Sequence, residues 1–290
     1  MRNLIPSLFL TGLLLTAGLI WAGAAAGQTA GAALFHRGQY SEAYAALWPE
    51  LNAGNPEAIF YALIIRRNGL DGRAPAKPDE FASLWSLLAG RAEQMRAGAV
   101  GRGLPDETRW AYRTALAQLE YFGPALSYWP PAAHDPERVK RAHLATGHLS
   151  ATGQNFTPAM NFLAFLDHDA YGGRHASAFN RTLKAAEHKD LLAMGNLAWF
   201  YRDGLGVGKN DLRAAYWAHK GCQSTPGVAR NQNEMGYLYE SGRGVSRDLH
   251  EAARWYEMSA AQGHPAGLIN AERLKKNEAA APTLDNRVLF

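Results

Sequence analysis

The sequence predicts an all-α chain: an α-solenoid of antiparallel helix pairs, preceded by an N-terminal signal peptide. Three observations carry that reading. Asn196-Leu-Ala-Trp-Phe-Tyr-Arg-Asp-Gly-Leu-Gly-Val207 recurs in kind as Glu234-Met-Gly-Tyr-Leu-Tyr-Glu-Ser-Gly-Arg-Gly-Val245, 38 residues on and without a gap. A period of that size marks a helical repeat array. Apolar residues elsewhere return every three or four positions. Hydrophobic residues make up 47% of the 290, with alanine and aromatics prominent, which suits close-packed helices.

The chain opens with Met1-Arg2, an apolar run from Leu4 to Ile20 and small residues from Ala22 to Ala26 at Ala-x-Ala spacing. This is the layout of a secretory signal peptide over residues 1–26, with cleavage near Ala26. The expected location is therefore outside the cytoplasm, in the periplasm. The alternative is anchoring by an uncleaved N-terminal helix, since no charge falls between Arg2 and Arg37. The single cysteine, Cys222, excludes an internal disulfide framework and a cysteine zinc cluster. It reads as a buried structural thiol.

Residues 30–97 read as degenerate helix pairs. Gly38 ends a first helix and Ser41 caps a second, along which Ala43, Leu47 and Leu51 share a face. Gly54-Asn-Pro56 stops that helix and starts another, which Gly69 closes. Asp79 reads as the cap of a helix carrying Phe81, Leu84, Trp85, Leu88, Ala92 and Met95. Residues 98–173 form an irregular helical middle. Its glycines at 98, 101 and 103 follow no strand and precede no Gly-Lys-Ser/Thr, which argues against a phosphate loop. Asp106 starts a helix that ends at Gly123, and Tyr128-Trp-Pro-Pro131 is a rigid aromatic corner. Asp135-Pro136 and Thr157-Pro158 each place a cap before a first-turn proline. Between these two starts, Gly147 to Phe156 reads as a polar loop.

Residues 174–276 hold the regular repeats, and residues 277–290 a flexible tail. In the second copy Met235, Leu238 and Tyr239 share one face. Leu249, Ala252, Ala253, Tyr256 and Ala260 make the facing stripe. Gly242 and Gly244 supply positive φ for the tight turn. Asp248 caps the second helix, with Glu251 placed to reach back. Such a hairpin cannot bury its face alone, so stacking provides the core and about ten helices are expected.

These residues resemble the Sel1-like repeat family, a subclass of TPR-like helical repeats. Ala185-Ala186, Ala193, Leu197-Ala198 and Tyr201 fit one copy. Met235-Gly236, Tyr239, Gly242, Gly244-Val245 and Ala260-Ala-Gln-Gly263 fit another, and Gly54-Asn-Pro-Glu-Ala58 a weaker one. Ala198 stands where the family has glycine, as do Lys189 and Thr225. The resemblance covers Lys184 to Gly263, extends in weaker form over Phe35 to Gly69, and is absent from Gly98 to Gly173. It implies a right-handed superhelix and a protein-interaction scaffold.

No catalytic, cofactor or metal residues are assigned. Ser-x-x-Lys, Gly-x-Ser-x-Gly and His-Glu-x-x-His do not occur. Cysteine-rich relatives of the family bind or hydrolyse β-lactams, but their disulfide pattern is missing. The densest polar cluster, Asp167-His168-Asp169 with His175, reads as a helix end, and His143 and His148 as surface residues. The charge of +4 is spread along the chain, which argues against nucleic acid. The candidate partner-binding residues are Arg66, Arg67, Tyr201, Arg202, Tyr237 and Glu240, together with Trp129 in the aromatic-rich middle. The first six would line a concave face if the array curves as TPR arrays do. The expected role is a non-catalytic scaffold or regulator that binds another envelope protein or peptide. The alternatives are a periplasmic immunity protein and a cell-wall-directed or β-lactam-related enzyme or binder.

Overall fold

The computed structural model describes residues 29–101, 103–123, 136–151, 156–170, 173–223, 227–276 and 282–284. The signal peptide, Thr225, Trp129 and the aromatic corner around it lie outside these residues. Among the described residues there are fourteen α-helices and no strand. They are α1 (Ala30–His36), α2 (Tyr40–Asn52), α3 (Pro56–Asn68), α4 (Pro78–Ala89), α5 (Ala92–Val100), α6 (Asp106–Phe122) and α7 (Pro136–Ala151). Then follow α8 (Thr157–Phe165), α9 (His175–Glu187), α10 (Leu191–Asp203), α11 (Asp211–Gly221), α12 (Ala229–Ser241), α13 (Leu249–Ala261) and α14 (Pro265–Lys275). A π-helical turn, Leu166–Ala170, continues α8.

Neighbours in sequence pack as hairpins: α1 on α2, α8 on α9, α10 on α11 and α12 on α13. The first helices also touch one another, α3 with α6 and α6 with α8, then α10 with α12 and α12 with α14. A row of first helices therefore runs beside a row of second helices, as a stacked repeat requires.

The two matching repeats use equivalent residues in equivalent conformations. Gly204 and Gly242 end α10 and α12 at φ 77° and 68°. The side chain of Asn210 caps α11 through the Arg213 N–H, and that of Asp248 caps α13 through the His250 and Glu251 N–H groups. Gly206 and Gly244 both sit at φ 71°. A Cβ on Gly206 would collide with the His175 carbonyl, and one on Gly244 with the Asp211 carbonyl. The second glycine of the turn is thus needed for close stacking on the preceding repeat as well as for turning.

That contact places α9 in the role of a second helix, because its first residue seats Gly206 as the first residue of α11 seats Gly244. Its partner α8 carries Ala159-Met160-x-x-Leu163-Ala164-Phe165, beside Ala193-Met194-x-x-Leu197-Ala198-Trp199 in α10. The repeat geometry therefore begins before Lys184, in a stretch where the sequence resemblance is absent. The π-helical turn stands there in place of Gly-x-Gly.

Several local expectations are corrected. The apolar run Phe81–Met95 is two helices, broken at Gly90-Arg91, and α4 starts at Pro78 with Lys77 rather than Asp79 as its cap. Ser41 lies inside α2 and donates to the Asp71 carbonyl. Thr157 is the first helical residue of α8, not its cap. Residues 147–151 belong to α7, not to a loop. Glu251 accepts from Arg254 instead of reaching back to the cap.

The main core is continuous from Ala32 to Val228. In the N-terminal half α3 is its axis, buried on nearly every side from Pro56 to Arg66. Tyr121, Phe122, Phe162 and Phe165 pack in edge and stacked pairs, and the Trp85 indole N–H donates to the Gly123 carbonyl. Much of the aromatic-rich middle is therefore core. Cys222 is half-buried, and burial pushes its thiol pKa up.

Candidate functional site

The residues nominated from sequence lie mostly inside the stack. Arg66 is buried and pairs with Asp71 and Glu80 at 3.0 and 2.9 Å, pinning the loop after α3 to α4. Arg67, next to it, is half-buried. Arg202 is only 1% exposed. Its guanidinium donates to Asp203 at 2.8 and 2.7 Å and to Glu234 of the next repeat at 2.6 Å. Burial works against the charge of Arg202, and its bonds to the two carboxylates outweigh that. Burial likewise raises Asp203, but the bonds from Arg202 and Trp199 bring its pKa below the usual carboxylate range.

Tyr201 is buried and its hydroxyl accepts from Arg213 at 3.0 Å. The Tyr237 hydroxyl accepts from Arg243, also at 3.0 Å, and Arg243 bridges back to Asp211 at 2.6 Å and to the Arg202 carbonyl at 2.7 Å. Glu240 accepts from Tyr256 at 2.9 Å and from Arg273 of α14 at 2.5 Å. These side chains join successive repeats. Their signal in sequence, aromatic and charged residues on first helices, is the same whether they bind a partner or a neighbouring repeat.

The site that sequence reasoning missed lies on α12 and α14. The sixth residues of α10, α12 and α14 are Asn196, Glu234 and Asn270, all buried. Asn270 faces the short segment Pro282–Leu284. Its Nδ2 donates to the Thr283 carbonyl at 2.8 Å, and its Oδ1 accepts the Thr283 N–H at 2.7 Å. Asn233 donates to the same carbonyl at 3.1 Å and accepts from Asn270 at 2.8 Å. Two amide side chains thus read both main-chain polar groups of one residue.

A second feature is a cavity of about 430 Å³ between the N-terminal helices and the repeats. Its walls include Phe35, Tyr40, Trp110 and Phe156, and Glu107, Lys189 and Asp190 add charge. His36, also in the wall, is 2.9 Å from the Tyr61 hydroxyl. Burial lowers the pKa of His36 and raises that of Tyr40 well above its ordinary value. Lys189 holds φ 65°, where Gly54 and Gly263 occupy the corresponding turns at 76° and 71°. A side chain there costs about 1 kcal/mol or more of backbone strain.

The polar cluster after α8 is a packing device. Asp167 is buried and accepts from His143 at 3.1 Å, and from Ser177 and Arg181 at 2.7 Å each. Burial raises its pKa, but the three donors outweigh this and hold it at about 2. His143 is thereby engaged with the core, not a plain surface residue. His168 and His175 pack ring to ring at 4.7 Å, with His168 also against Trp199 and Phe200. Among the described residues no group of three or more His, Cys, Asp or Glu side chains could hold a metal ion. Among them too, no helix is long and apolar enough to cross a membrane.

Comparison with known proteins places this geometry. The model of the Sel1 repeat matches residues 191–225 and 232–264. The chain is 33% identical over 90 residues to chitin synthase regulatory factor 3 of Schizosaccharomyces pombe, covering 31% of this chain and 9% of that protein. It is 27% identical over 118 residues to chitin synthase regulator SKT5 of Saccharomyces cerevisiae, covering 39% of this chain and 17% of that protein. The matching part thus spans less than a fifth of either relative.

Among solved structures, a protective antigen of uropathogenic Escherichia coli displaying an SLR fold is 21% identical, at a TM-score of 0.49. That match covers 83% of this chain and 46% of the antigen. A Sel1 repeat protein from Oxalobacter formigenes is 27% identical, at a TM-score of 0.36, over 41% of this chain and 88% of its own. By the matched model and the paired helices that form them, residues 191–225 and 232–264 of this chain are Sel1 repeats.

Proposed function

We propose that this chain is an exported, non-catalytic scaffold or regulator whose row of first helices, curved as a superhelix, holds a segment of another envelope protein. One observation carries the reading: a stretch of main chain already lies on that row, bonded by Asn233 and Asn270. Main-chain recognition gives affinity without demanding one side chain, as in other modes of peptide binding. The fungal relatives are named as regulators, which supports a regulatory role. The apolar run Leu4–Ile20 with its small-residue site supports export.

The test is a photo-crosslinking residue in place of Tyr237, which is half-exposed beside this face. The reading expects one discrete adduct with an envelope protein in cells. Absence of any adduct removes its basis. The cavity beside Glu107 and Trp110 favours a second reading, a binder or enzyme for a small ligand of the cell wall. That reading gains if Glu107→Gln abolishes function while the melting temperature is unchanged.

A further inference from the structure

The bonds on α12 and α14 form a complete clamp. Asn270 uses one amide hydrogen on Asn233 and the other on the Thr283 carbonyl, while its oxygen takes the Thr283 N–H. Asn233 fixes which way Asn270 points and adds its own donor to the same carbonyl. Both amides are buried, at 1% and 0% exposure. With Thr283 in place its main-chain groups, not water, satisfy both amides, so the clamp is shaped for polypeptide.

We infer that the α12–α14 face is a binding site for an extended polypeptide segment, that Thr283 fills it in cis, and that a partner's segment enters by displacing Thr283. The inference rests on the scaffold reading and adds to it the site, the mode of recognition and a built-in competitor. The clamp needs a main-chain N–H as well as a carbonyl. The displacing segment therefore carries any residue except proline at the clamped position. Thr283 follows Lys275, the last residue of α14, by eight residues in sequence, and so short a separation gives local concentrations on the order of millimolar. A free segment meets that competition on every encounter.

The experiment uses the full chain and a fluorescently labelled synthetic peptide of residues 279–288, with binding read by anisotropy. Thr283→Pro in the chain removes the N–H that the clamp requires and opens the site. That variant is expected to bind the peptide at least about fivefold more tightly than the wild type. A peptide with Thr283→Val binds equally well, and one with Thr283→Pro does not bind. Adding Asn270→Ala to the opened chain weakens binding by about tenfold or more. If Asn270→Ala prevents folding, the comparison of the three peptides on the opened chain decides alone.

Equal affinity of the wild-type and Thr283→Pro chains overturns occupancy in cis. Failure of the opened chain to bind, or tight binding of the proline peptide, overturns the site. A Tyr237 crosslink to an envelope protein together with a failed peptide assay keeps the scaffold reading and rejects the Asn233–Asn270 clamp as its site. Peptide binding with no crosslink does the reverse.

Discussion

The two halves of the molecule are held together differently. In the N-terminal half α3 is apolar on almost every side, and its neighbours pack against Ile59, Phe60, Leu63 and Ile65. Buried polar groups there include Glu57, which accepts from the Thr29 N–H and the Thr108 hydroxyl at 3.0 and 2.9 Å, and Arg66, which pairs with Asp71 and Glu80. In the C-terminal half the second core cluster is small, built around Ala198, Ala215, Ala218, Met235 and Leu238. There the repeats are joined by buried polar pairs, Arg202 with Glu234, Arg230 with Asn196 and Asn270 with Asn233, and by the half-buried pair Arg273 with Glu240. Apolar packing tolerates volume-conserving change. A buried polar network fixes one register and does not tolerate loss of a member.

That contrast can be broken by substitution. The largest effect is expected from Arg202→Ala, which takes from the buried Glu234 its bond to the guanidinium and costs about 3–5 kcal/mol in chemical denaturation. Ile65→Val in the N-terminal half costs about 1 kcal/mol by comparison. Similar values for the two would end the contrast.

Gly244→Ala comes next. It forces a Cβ into the Asp211 carbonyl at φ 71°, for a loss of about 2 kcal/mol or more. Gly208→Ala, which meets open space, serves as the neutral control in the same melting experiment.

Acid titration sharpens the role of the α8–α9 turn. The pKa of Asp167 is depressed to about 2, so its contribution is fully present above its unfolded value near pH 4 and is lost as pH falls toward 2. With His143 and Arg181 partly exposed, the loss is on the order of 1–2 kcal/mol after allowing for solvent screening. Asp167→Asn should flatten the stability curve in that window, and an unchanged curve would remove Asp167 from the account. Asp248→Ala should cost about 1 kcal/mol through the lost cap. The smallest effect is a gain: Lys189→Gly relieves a strained turn and should raise stability by up to about 1 kcal/mol.

Much of the C-terminal half was legible in sequence because each signal there is local. The cap Asp248 and the turn glycines Gly242 and Gly244 each act within a few residues, and the 38-residue period carries them to the preceding repeat. The α8–α9 repeat was not legible, since a π-helical turn replaces the glycine signature that identifies the others. The burial of Arg202 was hidden because its partner Glu234 is 32 residues away and arginine on a helix reads as surface. The asparagine clamp joins residues up to 50 apart through main-chain groups, which leave no mark in sequence. The cavity likewise assembles α1, α6 and the turn before α10 from distant stretches. Function followed the same division, with the repeat recognisable and the surface it offers not.

Hydrogen–deuterium exchange on the full chain, alone and with any envelope protein that a Tyr237 crosslink captures, tests the central claim most directly. The account predicts that Thr283 is protected in the free chain. In the complex, new protection should appear along α12 and α14. Protection confined to the exposed side of α11, where Leu212 and Tyr216 lie, or to the rim of the Glu107 cavity, would contradict it.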